Sequence, residues 1–174
     1  MIFDPDTREL MTLVREKLHR LPKPCYRGEV TVSFTVAMNK RVQVFADPVV
    51  VEQFLRILSR TVERHDCIIP AYCFMPDHLH VILHGQSPDA DLWKAMVNFK
   101  QSSGFWLCKN SSGASWQKDF HDHVIRPGDD LTAHVRYVLD NPCRRGLVVD
   151  WHKYSFSGSV GCSLDDVLAT GRGG

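Results

Sequence analysis

The 174-residue chain lacks the features that would place it in the simplest functional classes. No apolar run approaches the roughly 18 residues that a membrane-spanning helix needs, which excludes an α-helical membrane protein. The start, MIFDPDTREL, has neither a basic opening nor an apolar stretch behind it. A secretory signal is therefore not expected, and the cytoplasm is the expected compartment. Cys25, Cys67, Cys73, Cys108, Cys143 and Cys162 form no CxxC pair and are irregularly spaced. That argues for free thiols in a reducing compartment rather than a disulfide framework or a thiolate zinc site. A strong basic excess is also missing. The net charge is +1, so composition alone does not point to nucleic acid. The charge is uneven, however: residues 47–90 are acidic, while 1–46 and 91–126 carry a basic surplus. There is no internal repeat, and no low-complexity tract beyond the terminal Gly-Arg-Gly-Gly.

What is present is one domain's worth of chain with alternating signals for strands and helices. Thr7–His19 has Leu10, Leu13, Val14 and Leu18 on one side of a possible helix, ended by Pro22 and Pro24. Glu29–Ala37 alternates Val30, Val32, Phe34 and Val36, a strand pattern. Val42–Phe45 reads as a short strand. Asp47 before Pro48 is an N-cap and first-turn pair, and the helix to about His65 would bury Val51, Phe54, Leu55, Leu58 and Val62. Cys67–Phe74 is a strand whose Pro70 indicates an edge or a bulge. Met75-Pro76-Asp77 is a tight turn into a third main strand, His78–His84. Asp89–Leu107 reads as a helix with Leu92, Ala95, Met96, Phe99 and Phe105 on its apolar side. Trp116–Arg126 reads as the last strand. After it, Asp129 or Asp130 caps a helix to about Asn141, stopped by Pro142. The order β-α-β-β-α-β-α fits an α+β domain of split βαβ, ferredoxin-like type with a central antiparallel sheet. The expected division is an N-terminal extension over 1–28, the domain over 29–160 and a tail over 161–174.

Three groups of residues carry candidate chemistry. His78 and His80 flank Leu79 on a strand, so their side chains share a face, with Cα atoms about 6.6 Å apart. Two imidazoles at that span can converge on one cation, or can be ordinary hydrogen-bonded histidines. Tyr137 and Asn141 are one helical turn apart. Asn141 could offer an amide oxygen to the same cation, beside which the Tyr137 phenol becomes a usable nucleophile; the alternative is an amphipathic tyrosine with an Asn cap. Arg126, Arg144 and Arg145 suit phosphate contacts, because the guanidinium fork matches phosphate oxygens. They would serve equally as solvated charge. Trp93, Trp106, Trp116 and Trp151 could stack on bases, with core packing as the default.

Several stretches, taken in order, resemble the REP-associated tyrosine transposases, members of the single-tyrosine HUH endonucleases. AYCFMPDHLHVILHG is similar to the hairpin that holds the HUH histidines, and WQKDFHDHVIR to the strand before the last helix. HVRYVLDNPCRRGLV is similar to the helix with the catalytic tyrosine, and DWHKYSFSGS to the tail behind it. The resemblance covers about residues 29–160. It implies an HUH variant of the ferredoxin-like fold, with His78 and His80 holding Mg²⁺ or Mn²⁺, Asn141 assisting, and Tyr137 as nucleophile. It further implies cleavage of single-stranded DNA at hairpins of repetitive extragenic palindromes through a 5′-phosphotyrosine that leaves a free 3′-hydroxyl. The partners would be single-stranded or hairpin DNA, without membrane, acting as a monomer or homodimer near the nucleoid. Lys94, Lys100, Lys109 and Lys118 join the three arginines as candidate DNA contacts. Three rivals remain at this point: a zinc hydrolase using His78, His80 and His84, a DNA-binding regulator without catalysis, and a scaffold in which Tyr137 is buried packing. The first 28 residues and the terminal SLDDVLATGRGG match nothing in the family pattern.

Overall fold

The structure is a computed structural model that describes residues 21–111 and 113–169. The expected Thr7–His19 helix lies outside the described residues.

The alternating β-branched and aromatic residues at the start of the chain form β1 (Thr31–Ala37), which buries Val32, Phe34 and Val36 on one side. Val42–Phe45 is not a strand. Lys40 and Arg41 take positive φ (52° and 55°), and two 3₁₀ turns, Asn39–Arg41 and Val44–Ala46, fill the connection instead. Helix α1 (Pro48–Arg64) starts where Asp47 accepts a hydrogen bond from Val49 N. Val51, Phe54, Leu58 and Val62 are buried, while Leu55 is half-buried and Thr61 takes a buried place.

Strands β2 (Cys67–Met75) and β3 (His78–Gly85) form the expected hairpin. Pro70 marks a bulge rather than an edge: the pairing on both sides of β2 shifts register across it. Helix α2 (Leu92–Asn110) is capped by Asp91, whose side chain accepts from Lys94 N. Its inward positions are Leu92, Ala95, Met96, Phe99, Ser103 and Leu107; Phe105, expected inside, is 64% exposed.

β4 is confined to His121–Ile125, and Trp116 makes only an isolated bridge to Met38. Asp130 caps α3 (Leu131–Leu139) by accepting from Ala133 N. Pro142 does not end helical structure but sits in a further turn, α4 (Asn141–Arg144). β4 is also not the last strand. Ser157–Val160 forms β5 against β2, and α5 (Leu164–Ala169) follows.

The sheet order is β4-β1-β3-β2-β5, with every neighbouring pair antiparallel. β1–α1–β2 and β3–α2–β4 are thus interleaved split βαβ units, and the ferredoxin-like expectation holds. The sheet has two covered faces. Val32, Phe34, Val36, Leu79, Val81 and Leu83 pack under α1 and α2 in the larger core. Ala71, Cys73, Met75, Ile82 and Ile125 pack under Val135, Val138 and Leu139 of α3 in a smaller one. Packing runs past the expected 29–160 bounds. Tyr26 is fully buried and donates to Asp122 Oδ2 at 2.5 Å, and Leu164, Val167 and Leu168 lie against the smaller core.

Candidate active site

Alternation along β3 separates its residues by face. Leu79, Val81 and Leu83 enter the larger core, which leaves His78, His80, Ile82 and His84 on the face covered by α3. His78 is buried and His80 half-buried. Their Nε2 atoms lie 3.1 Å apart, with the rings at 81° to each other. Each ring is held from behind. Asp77 Oδ1 lies 2.5 Å from His78 Nδ1, and Thr35 Oγ1, directly across the ladder on β1, lies 2.9 Å from His80 Nδ1. Bonds at both Nδ1 atoms fix the ring planes and leave both Nε2 atoms pointing at one spot, the outer-shell arrangement of metal-binding histidines. Burial, then the charges of His78, Arg144, Arg145 and Arg41, push the His80 pKa down to about 4. His80 is therefore neutral near pH 7, the form that can ligate a cation.

The spacing of the pair fits two neighbouring ligands of one divalent ion. Two ligands at neighbouring octahedral positions, each with a bond of about 2.1 Å, lie roughly 3.0 Å from one another, close to the separation found here. His84 does not join the pair. It sits four residues along β3 from His80, about 13 Å in Cα terms, beyond buried Ile82, and its Nδ1 bonds Thr31 Oγ1 at 2.9 Å. Among the described residues it belongs to no three-ligand cluster with the pair, so the three-histidine zinc reading lacks its third ligand.

α3 brings Tyr137 to the same face of the sheet, because Val135, Val138 and Leu139 anchor that helix over Cys73, Met75 and Ile82. Cys73 and Met75 are the ladder partners of His80 and His78. Tyr137 is 56% exposed, so its phenol is not packing material. Asn141 is buried and works partly as a cap: its Nδ2 donates to Tyr137 O and Val138 O in the last turn of α3. Its Oδ1 accepts from Arg144 Nη2 at 3.0 Å. Arg144 also donates to Tyr137 O, and its guanidinium carbon lies 3.7 Å from the centre of the Tyr137 ring. The same charge acts on His80. Arg144 thus ties the phenol ring to the Asn141 amide, and its charge contributes to the lowered His80 pKa.

A cleft of about 340 Å³ opens beside the pair, lined by Arg41, Gln43, Asp77, His78, Arg145 and Leu147 among others. Arg41 Nη1 lies 3.4 Å from Asp77 Oδ2. Arg41 and Arg145 thus share this cleft with His78, an arrangement suited to a phosphodiester backbone. Arg41, Asp77 and Thr35 were not among the expected site residues. Asp77, next to His78 in the turn, was the only one with a local signal.

The candidate lysines are placed elsewhere. Lys94, Lys100 and Lys109 belong to α2, which covers the opposite face of the sheet. Lys100 donates to the carbonyls of Gln117 and Lys118, and Lys109 lies over the Phe105 ring. Lys118 is in the exposed loop after α2, and Arg126 follows β4. Trp93, Trp106 and Trp116 pack on the larger core and Trp151 on the smaller one.

The model of the family described as "Transposase IS200 like" matches residues 27–138, a span holding both histidines and Tyr137. The chain belongs to the IS200-like transposase family. A REP-associated tyrosine transposase of Escherichia coli K12 is 32% identical over 92 residues, or 51% of this chain and 52% of that protein. A Haemophilus influenzae protein provisionally given the same name is 26% identical over 141 residues, covering 73% of this chain and 80% of the relative. Among solved structures, a REP-associated tyrosine transposase bound to a REP hairpin superposes with a TM-score of 0.65 at 25% identity, covering 76% of this chain and 78% of the other. These matches group the chain with the REP-associated tyrosine transposases, and its five-stranded antiparallel sheet with packed helices is theirs. No helix among the described residues is long and apolar enough to cross a membrane.

Proposed function

We propose that this transposase cuts and rejoins single-stranded DNA at hairpins of the REP type through a covalent 5′-phosphotyrosine on Tyr137. His78 and His80 would hold Mg²⁺ or Mn²⁺, with Asn141 Oδ1 as a further oxygen ligand on exchange of its bond to Arg144. The observation that carries this reading is the convergence of the two Nε2 atoms at 3.1 Å on the sheet face beneath the tyrosine helix. The ion, when bound, polarises the scissile phosphate and offsets charge developing on its oxygens.

The chain's own residues do the rest. The Tyr137 phenol gives up its proton to solvent, and Oη attacks phosphorus. A P–O bond to tyrosine forms as the P–O3′ bond breaks, leaving a 3′-hydroxyl on one DNA end. The phosphodiester energy is kept in the adduct, so a later 3′-hydroxyl attack rejoins DNA without an external energy source. Arg144 holds the phenol ring and sets a fixed charge beside it, while Arg41 and Arg145 face the cleft that would take the backbone. Hairpin shape and unpaired bases would give specificity, and phosphate contacts affinity.

The test is a labelled REP-type hairpin with a single-stranded flank, incubated with the protein and Mn²⁺ and run on a denaturing gel. The parent chain forms a protein–DNA adduct; Tyr137→Phe forms none and still binds the hairpin within about 5-fold, since loss of one hydroxyl removes roughly 0.5–1 kcal/mol. An adduct formed by the phenylalanine variant sinks the assignment.

A further inference from the structure

A second set of metal-ligating side chains lies away from the paired histidines. His123 of β4, Asp129 of the following turn and His134 of α3 each offer a donor atom, and these atoms all lie within 4.8 Å of one another. The two imidazoles stack at 5.5 Å between centroids and 29° between planes. We propose that these three residues form a second cation site, for a borderline divalent ion of the zinc type, which ties the edge strand β4 to the helix that carries Tyr137.

The ligand chemistry separates this site from the first. Two imidazoles and one carboxylate, with a position left for water, are a recurrent zinc set. Ligands around tetrahedral zinc lie about 3.4 Å from each other, from bonds of ~2.0–2.2 Å. Small rotamer movements of the two histidines close the difference, since His123 is exposed and His134 half-exposed. The backbone between them is already set. Arg126 N donates to Asp129 Oδ2 at 2.8 Å and Asp129 N returns to Arg126 O at 3.0 Å, around a turn where Gly128 takes φ 100°. One carboxylate oxygen is thereby fixed, and the other is open to an ion. Asp130, the cap of α3, lines the same hollow of about 430 Å³ and adds negative charge, while Arg126 lines it too and opposes a cation through solvent.

The two sites are separate. His123 pairs with Ser33, which pairs with Ile82, so it lies two strands across and two residues along from His80, about 12 Å in Cα terms. His134 precedes Tyr137 by three residues on α3. An ion held by His123 and His134 would pin the first turn of that helix to the sheet edge, leaving its last turn to carry the phenol.

Co²⁺ and Zn²⁺ titrations of the whole chain test this. The parent takes up two equivalents, and His134→Ala or His123→Ala takes up one. His78→Ala/His80→Ala retains one Zn²⁺, which raises its thermal midpoint by several degrees, and adding His134→Ala removes that shift. The retained Co²⁺ spectrum shows no thiolate charge-transfer band, which distinguishes the site from adventitious binding at exposed Cys108. Uptake by the parent that is unchanged by both His123→Ala and His134→Ala overturns the proposal, as does a His78→Ala/His80→Ala protein that takes up none. Because His123 and His134 are not in the buried cores, these two substitutions leave folding intact.

Discussion

Replacing Asp77 should loosen the proposed metal ligands His78 and His80 without disturbing the fold. Its carboxylate holds the back of the His78 ring at 2.5 Å and faces Arg41 at 3.4 Å. The turn around it is fastened by backbone bonds that do not need the side chain: Met38 N donates to Asp77 O at 2.9 Å, and Phe45 N donates to Pro76 O at 3.0 Å. Asp77→Asn keeps an acceptor for Nδ1–H but removes the charge that makes His78 a stronger donor to the ion; Asp77→Ala removes the acceptor as well and frees the ring to rotate. Outer-shell partners of this kind are worth about 10–100-fold in metal affinity, or ~1.4–2.7 kcal/mol. The asparagine variant belongs near the lower figure and the alanine variant near the upper. Electron paramagnetic resonance of free Mn²⁺ during titration measures this directly, scored on the component that His78→Ala abolishes. Equal affinity of Asp77→Ala and parent for that component, with an unchanged thermal midpoint, would refute the argument that Asp77 orients the ligand.

Arg144→Ala removes the guanidinium stacked on Tyr137 and two hydrogen bonds at the end of α3. Single-turnover adduct formation should slow about 10–30-fold, from ~1.5–2 kcal/mol of lost positioning, and Arg144→Lys should not restore it, because an ammonium cannot stack and donate in a fork at once. Gly85→Ala places a Cβ 2.0 Å from Gly28 O and 2.9 Å from Ala90 Cβ. It should cost about 3 kcal/mol, a fall in thermal midpoint of about 6–12 °C by calorimetry. Burial pushes the Cys67 and Cys73 thiols up to about 12, so a thiol reagent should modify exposed Cys108 in the native protein and reach those two only on unfolding; early labelling of Cys73, seen by mass spectrometry, would contradict the packing of the smaller core.

How much of this was legible in the sequence depends on how local each feature is. The alternation in β1 and β3 and the Asp47-Pro48 start of α1 are written in neighbouring residues and were readable. β5 was not: Ser157-Gly158-Ser159-Val160 has no apolar alternation, and only its pairing with β2 makes it a strand. Val42–Phe45 looked like a strand because its apolar residues alternate, yet the positive φ values of Lys40 and Arg41 turn the chain first. Phe105 fitted a helical stripe that the real α2 buries through Ser103 and Leu107 instead. At the site, the histidine spacing was visible, but Thr35 meets His80 only through the β1–β3 register, and Arg41 reaches Asp77 only because the 3₁₀ turns fold back. Charge counting marked 91–126, whose α2 lysines lie on the opposite face, and 1–46, which holds Arg41, while Arg144 and Arg145 sit in a stretch whose net charge is unremarkable.

The β2–β3 hairpin joins through only Pro76 and Asp77, and the carbonyls of both accept bonds from Phe45 N and Met38 N. Such a joint has no slack. A single residue gained or lost there would slide β3 by one step and rotate every side chain on it to the reverse side. Leucine and valine would then look toward the tyrosine, and the imidazoles would be driven into oil. An inserted residue is therefore tolerated better in the other connections than in this one.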